Sequence, residues 1–322
     1  MKFRVWLAVV AGILPLALIA IVAFLAIYSW PAMHFNGIGF IGRDTWNLGN
    51  LYANPVMFHG TLIPRGATYG ILFLIVGTLL STAIAVAIAL PMGVGAAIFL
   101  AEVVPDALRT WISFFVELLM AIPSVVFGLW GYVVVIPFLG KHVYPVIAHS
   151  VGRVVPFFGE PSGSGYGLLT AGIVLSLMIV PIIAATLRDA LVNQPSSLRE
   201  AALGLGATRF EALWKVMLPG TRKTLIGATF LALGRALGET MAVLMVSGNA
   251  LNVLPHRIYD PISTMAAFIV SQLDSALQDP TGLAVRSLAE IALVLAIISI
   301  VVNALARLLL MMWNNSQRSV MV

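Results

Sequence analysis

Residues 200–249 read EAALGLGATRFEALWKVMLPGTRKTLIGATFLALGRALGETMAVLMVSGN, and the fold turns on how they are read. The first half is a polar island between two long apolar runs. The second half is apolar but interrupted by Arg235 and Glu239. Just upstream, Gln194-Pro195-Ser196-Ser197 breaks any helix arriving from the N-terminal side, and Ser197 with Glu200 has capping-box spacing. A short helix is therefore expected from about Leu198 to Leu205, closed by Gly206, which takes a left-handed conformation without steric cost. Thr208 and Glu211 repeat the spacing, so a second helix is expected to start there and stop at Pro219. This compact helix-turn-helix leads straight into a membrane segment with buried charge. It reads as a coupling element, residues 188–223, joined to a substrate path. The competing reading is an amphipathic loop drawn to the bilayer surface by Arg199, Arg209, Lys215, Arg222 and Lys223. The small residues Ala201, Ala202 and Gly206 favour the first, since they let another protein's backbone approach closely.

The rest of the composition agrees with a membrane setting. Of 322 residues, 60% are hydrophobic and 10% charged, against about 25% charged in soluble domains. With no cysteine, disulfides and thiolate metal sites are excluded. The net charge of +5 could suggest nucleic acid, but the basic residues flank apolar runs, which a topological charge bias explains better.

Six apolar runs predict an all-α polytopic membrane protein with six transmembrane helices. These are Leu7 to about Tyr28, Ile71 to Leu100 with Pro91 inside, about Trp111 to Leu139, Leu168 to about Leu187, Leu225 to Val246, and Leu283 to Met312. Each can span a hydrocarbon layer of roughly 30 Å. The first follows Lys2 and Arg4 and lacks a small-x-small cleavage site, so an uncleaved helix is expected. Segments 29–69, 141–167 and 249–283 then form outer loops, and residues 1–69 precede a core at 70–314. With the N-terminus inside, eleven basic residues lie on the inner side and six outside, with Arg235 between, which places both termini in the cytoplasm. All five histidines (His34, His59, His142, His149 and His256) fall outside, and no two of them share a ligand-like spacing near a carboxylate.

A charged side chain at bilayer depth costs at least about 2.5–3.5 kcal/mol on insertion scales, so it normally faces a cavity or a partner. Glu117, Arg235, Glu239 and Glu290 fall at such depth. On a continuous helix Glu239 would lie one turn beyond Arg235 on the same face, flanked by Gly234 and Gly238. Two readings stand: an internal ion pair that fixes helix register, or a guanidinium fork for a passing oxyanion, held and gated by the carboxylates. No Gly-x-x-x-x-Gly-Lys-Ser/Thr run occurs, so energy from ATP would have to come from another chain.

The spacing Glu200-Ala201-Ala202, three residues, Gly206, nine residues, Val216, one residue, Leu218-Pro219 resembles the EAA loop of ABC-importer permeases. Val216 stands where the family usually has Ile. Residues 117–131, ELLMAIPSVVFGLWG, and 234–243, GRALGETMAV, extend the likeness to the PstC-type branch of the phosphate importers, over about residues 70–310. That resemblance implies a type I importer permease of MetI-like architecture in the cell inner membrane. It further implies a PstA-type sister permease, a PstB-type ATPase dimer that binds ATP and Mg, a PstS-type periplasmic phosphate-binding protein, and no cofactor on this chain. The EAA residues Glu200, Ala201, Ala202, Gly206, Leu218 and Pro219 would dock the ATPase. Arg235, Glu239, Glu117 and Glu290 would line the substrate path. Transport of another oxyanion, ion-coupled secondary transport and a membrane phosphatase are the other readings; the phosphatase lacks a nucleophile or metal set.

Overall fold

Backbone amides and carbonyls find no water in hydrocarbon, so apolar runs of this length must pair them internally, as helices. The computed structural model describes residues 2–58, 60–160 and 163–318. His59, one of the outer-loop histidines, and the side chains of Lys2, Arg4 and Arg318, used in the charge count, lie outside the described residues. In chain order come α1 (Lys2–Asn36), a hairpin of β1 (Val56–Phe58) and β2 (Thr61–Ile63), and α2 (Leu72–Ile98), prolonged by a π-turn to Val103. Then follow α3 (Asp106–Ala121), α4 (Ser124–Arg153), α5 (Leu168–Val192), α6 (Ser196–Gly204) and α7 (209–220). The chain closes with α8 (Arg222–Leu237), α9 (Met241–Val246), α10 (Met265–Leu277) and α11 (Leu283–Arg318).

Among the described residues five stretches, in α1, α2, α4, α5 and α11, are long and apolar enough to cross a membrane; the segment expected as the fifth crossing is instead the broken pair α8–α9, each piece shorter than that length. The most extensive helix pair is α2 against α5, whose facing residues Ala85, Ala89, Leu175, Met178 and Ile179 are all buried. A second cluster joins the first loop to the last helices. Trp46 packs edge-on against Phe268 of α10 with ring centroids 5.2 Å apart, and Asn252 donates to the Trp46 carbonyl at 3.1 Å. Through that cluster residues 29–69 pack onto α10 and α11.

Three departures from the sequence reading share a cause in proline. The third crossing does not begin near Trp111. Ile122 precedes Pro123 and takes an extended conformation (ψ 129°), since the proline ring disfavours helix in the residue before it. That leaves α3 as a separate amphipathic helix and moves the crossing to α4, which runs on to Arg153 where an outer loop from Lys141 was expected. Conversely, Pro137, Pro145 and Pro219 do not stop their helices. Each follows a π-turn in which the preceding residue donates five residues back: Ile136 to Gly131, Tyr144 to Leu139, Leu218 to Leu213. The wider turn shifts the hydrogen-bond register so that the ring, with no N–H to place, fits without a break. The second coupling helix therefore continues past Pro219 to Gly220.

The fifth crossing is also not continuous. The helix stops at Leu237, residues 238–240 interrupt it, and it resumes at Met241. Residues 249–283, expected as a plain loop, contain α10 and pack against α2, where the Met265 amide donates to Thr78 at 2.9 Å.

Candidate functional site

The coupling hairpin is assembled from local hydrogen bonds. At the end of α6 the Ala207 amide donates to the Ala202 carbonyl at 3.1 Å and the Gly206 amide to Leu203 at 2.9 Å. This is the paired closure of a Schellman motif, and it requires the left-handed φ of +86° found at Gly206. A Cβ there would meet nothing within 4 Å, so the glycine is needed for backbone conformation alone. Thr208 caps α7 with the reciprocal box: its hydroxyl accepts from the Glu211 amide at 3.2 Å and its amide donates to Glu211 at 3.0 Å. The Thr208 amide first, and Lys215 next, hold the Glu211 carboxyl down at about 2. The other expected box, Ser197 with Glu200, does not form. Pro195 stands at the N-cap position with no side-chain cap, so the helix begins at Ser196 and Ser197 falls inside it.

Contacts at long range fix this hairpin to the ends of α2 and α5. Arg199 pairs with Glu102, and Gln194 donates to the Met217 carbonyl at 2.8 Å. Arg109 of α3 donates to the carbonyls of Leu100, Ala101 and Val104, closing the end of α2. Beneath, Leu213 and Met217 pack on Ala97, Ala101, Leu187 and Leu191. Of the expected docking residues, Ala202 is buried, Leu218 and Pro219 are half-buried, and Glu200, Ala201 and Gly206 are exposed. Leu205 and Phe210 beside them are 90% and 67% exposed, and with the exposed Leu198, Leu203 and Trp214 they give the hairpin an apolar surface.

Between α3, α5, α8 and α11 lies a cavity of about 920 Å³. Its walls are Glu117 and Met120 of α3, Ile182, Thr186 and Asp189 of α5, Leu231, Gly234 and Arg235 of α8, and Asn303 of α11. Arg235 sits in the last turn of α8, beside the interruption. Among the described residues it has neither an ion-pair nor a hydrogen-bond partner, although two carboxylates line the same cavity. Those two are held by another cation: Arg188 donates to Glu117 at 3.0 Å and to Asp189 at 2.6 Å.

Of the four charged residues expected on the path, the structure brings two, Arg235 and Glu117, to one cavity. Glu239 does not extend the face of Arg235, because the helix ends between them; its carboxylate accepts from the Ala242 amide at 3.2 Å and caps α9. Glu290 is elsewhere, between α1 and α11, 5% exposed and bonded to Asn36 at 2.7 Å. Glu117 rides on α3 with a half-exposed side chain rather than inside a spanning helix. Sequence reasoning missed Arg188 and Asp189 as site residues. Arg188 lies 71 positions from Glu117, so no spacing could have paired them.

Comparison with known proteins adds the following. The sequence profile described as "Binding-protein-dependent transport system inner membrane component" matches residues 93–314. A Mycobacterium tuberculosis protein named "Phosphate transport system permease protein PstC 1" is 45% identical, over 94% of this chain and 90% of its own length. A Pasteurella multocida "Phosphate transport system permease protein PstC" is 38% identical, over 92% and 87%. Among solved structures, a chain of the MetNI methionine ABC transporter in inward-facing conformations has a TM-score of 0.52 at 20% identity, covering 74% of this chain and 95% of that one. At that identity the likeness speaks for the fold.

Proposed function

The chain belongs to the family of binding-protein-dependent transport system inner membrane components, and from that premise we propose that it forms half of the route by which an ATP-driven importer carries inorganic phosphate across the inner membrane. It is a permease subunit and not itself an enzyme. The phosphate assignment follows the PstC-type relatives, which match over nearly their full length. An importer of this class works with an ATPase and a binding protein. Here these are a PstB-type ATPase dimer holding ATP and Mg, a PstS-type binding protein, and a PstA-type sister permease supplying the other half. Both termini face the cytoplasm, on the side of the hairpin, as the basic-residue bias requires.

The observation that carries the substrate reading is Arg235. An arginine keeps its charge at any working pH, and Arg235 is exposed at the wall of an open cavity rather than sealed in the core. Arg235 faces a roomy cavity with its guanidinium uncommitted, a state suited to a transient anion with several acceptor oxygens. The interruption after Leu237 ends the helix two residues beyond Arg235. The hairpin, anchored to the ends of α2 and α5, is the docking face through which ATPase movement reaches those helices.

Phosphate uptake by vesicles containing the assembled importer tests this. Arg235→Lys keeps the charge but loses the planar fork, and Arg235→Gln loses both, so flux per assembled complex should fall in that order. Adding Glu239→Gln to Arg235→Gln should restore nothing. Recovery in the double variant would mean that the two residues act as an ion pair, and the substrate-contact role would be lost.

A further inference from the structure

Next to the Arg235 cavity, on the far side of Glu117 and Asp189, is a second one of about 420 Å³, lined by Arg109, Thr110, Ser113, Arg188 and Asn193 together with those two carboxylates. Two of its groups are unusual. The Ser113 hydroxyl is buried, the residue being 7% exposed, and has no hydrogen-bond partner among the described residues. The Nη1 of Arg188 is likewise buried without a partner among the described residues. Both donors are closed off from solvent as the cavity stands, although both belong to residues that line it, and buried polar groups are otherwise almost always satisfied, so an acceptor is called for once Glu117 moves aside. One hydroxyl and one guanidinium edge match a tetrahedral oxyanion, which offers several acceptor oxygens and a charge.

We propose that this second cavity is an oxyanion site built on Arg188 and Ser113, which a phosphate group enters by displacing Glu117 from Arg188. The Glu117 and Asp189 side chains are 51% and 59% exposed, so releasing one of them to water costs little. Within the cavity the charges of Arg109 and Arg188 balance the two carboxylates, so an arriving anion meets no net negative wall. Glu117 and Asp189 also line the Arg235 cavity, so the Glu117–Arg188 bridge is the partition between the two. The site therefore extends the proposed phosphate route and rests on that reading: an anion leaving Arg235 toward the hairpin passes this bridge.

This chain has no cysteine, so Thr110→Cys gives it a single reporter at the site, read on this subunit after the subunits are separated. Its rate of labelling by a small maleimide is measured on the assembled importer in dodecyl maltoside, with inorganic phosphate or with chloride at equal ionic strength. Only the unliganded fraction reacts, so phosphate at ten times its half-saturating concentration should slow labelling by about tenfold. Adding Ser113→Ala should remove most of that protection while the importer assembles as before. The same measurement in phospholipid nanodiscs separates the source: slow labelling there without added phosphate, relieved in maltoside, keeps the oxyanion chemistry but assigns it to a lipid headgroup. Equal labelling under all conditions, or protection untouched by Ser113→Ala, overturns the proposal. Flux that ignores Arg235 while Thr110→Cys is still protected would instead remove the Arg235 reading and leave this site standing.

Discussion

Two arginines on neighbouring elements are used in opposite ways. Arg199 in the coupling hairpin is committed to Glu102 and ties α6 to the end of α2. Arg235, at the cavity wall, is committed to nothing among the described residues. The same contrast runs through the two regions. The hairpin satisfies its helix ends with a Schellman closure and a capping box and is pinned through Gln194 and Arg199. The cavity keeps a cation open beside a broken helix. An element that transmits force gains from having its polar groups locked, since slack would absorb the motion. A site that must bind and release gains from leaving its key donor unused, since every internal partner would have to be displaced in each cycle.

The contrast breaks first at the arginines themselves. Arg235→Gln should lower phosphate flux about tenfold to a hundredfold, corresponding to the ~1.5–3 kcal/mol of a hydrogen bond to a charged group. Arg199→Lys, which keeps its charge against Glu102, should cost at most about 1 kcal/mol, as exposed or half-exposed pairs do. Equal loss of flux in the two would erase the distinction. The seat of the broken helix comes next. A Cβ at Gly128 of α4 would lie 2.8 Å from the Met245 sulfur and 2.9 Å from the Ala242 Cα, so Gly128→Val should overpack α9 and destabilise the importer by about 1–3 kcal/mol, read as a lower melting temperature. An unchanged melting temperature would mean that α9 is free to shift away.

Smaller effects belong to the hairpin. Gly206→Val forces a branched side chain into the left-handed region at about 1–2 kcal/mol, and the expected result is ATPase activity no longer stimulated by the loaded binding protein. Gly206→Asn, which tolerates that conformation, should keep most of the stimulation. The smallest effect is pH-linked. The Glu211 carboxyl is lowered from 4.5 to about 2 by its bonds to Thr208 and Lys215, so its stabilisation of α7 is fully present above pH 4.5 and fades as pH falls toward 2. Hydrogen exchange at the Glu211 amide should quicken over that window relative to neighbouring amides, whereas in Glu211→Gln the ratio should stay flat.

Glu117 and Glu290 show why the site was only half legible. Both are lone carboxylates in apolar stretches, and by sequence both qualify for a path through the membrane. One turned out to face the cavity from an amphipathic helix, and the other to sit against Asn36 in the seam between α1 and α11. Hydropathy reports the cost of burying a charge, and that cost is met equally by a cavity, a cation or an asparagine. Helix breaks were misread for a related reason. Proline spacing was plain, but whether a proline ends a helix or rides over a π-turn depends on the register of the preceding turn, which packing selects.

By itself the sequence determined what short-range physics controls: the apolar runs that must become helices, the left-handed closure at Gly206, the capping box at Thr208 and Glu211, and the absence of a nucleotide-binding loop. These follow from residues within a few positions of one another. Only the tertiary structure decided which charges share a cavity, that Arg188 takes up the carboxylates and leaves Arg235 open, and that the fifth crossing is broken after Leu237. Those outcomes depend on groups many tens of positions apart, brought together by helix packing, and no local pattern encodes which of several possible partners a buried charge will find.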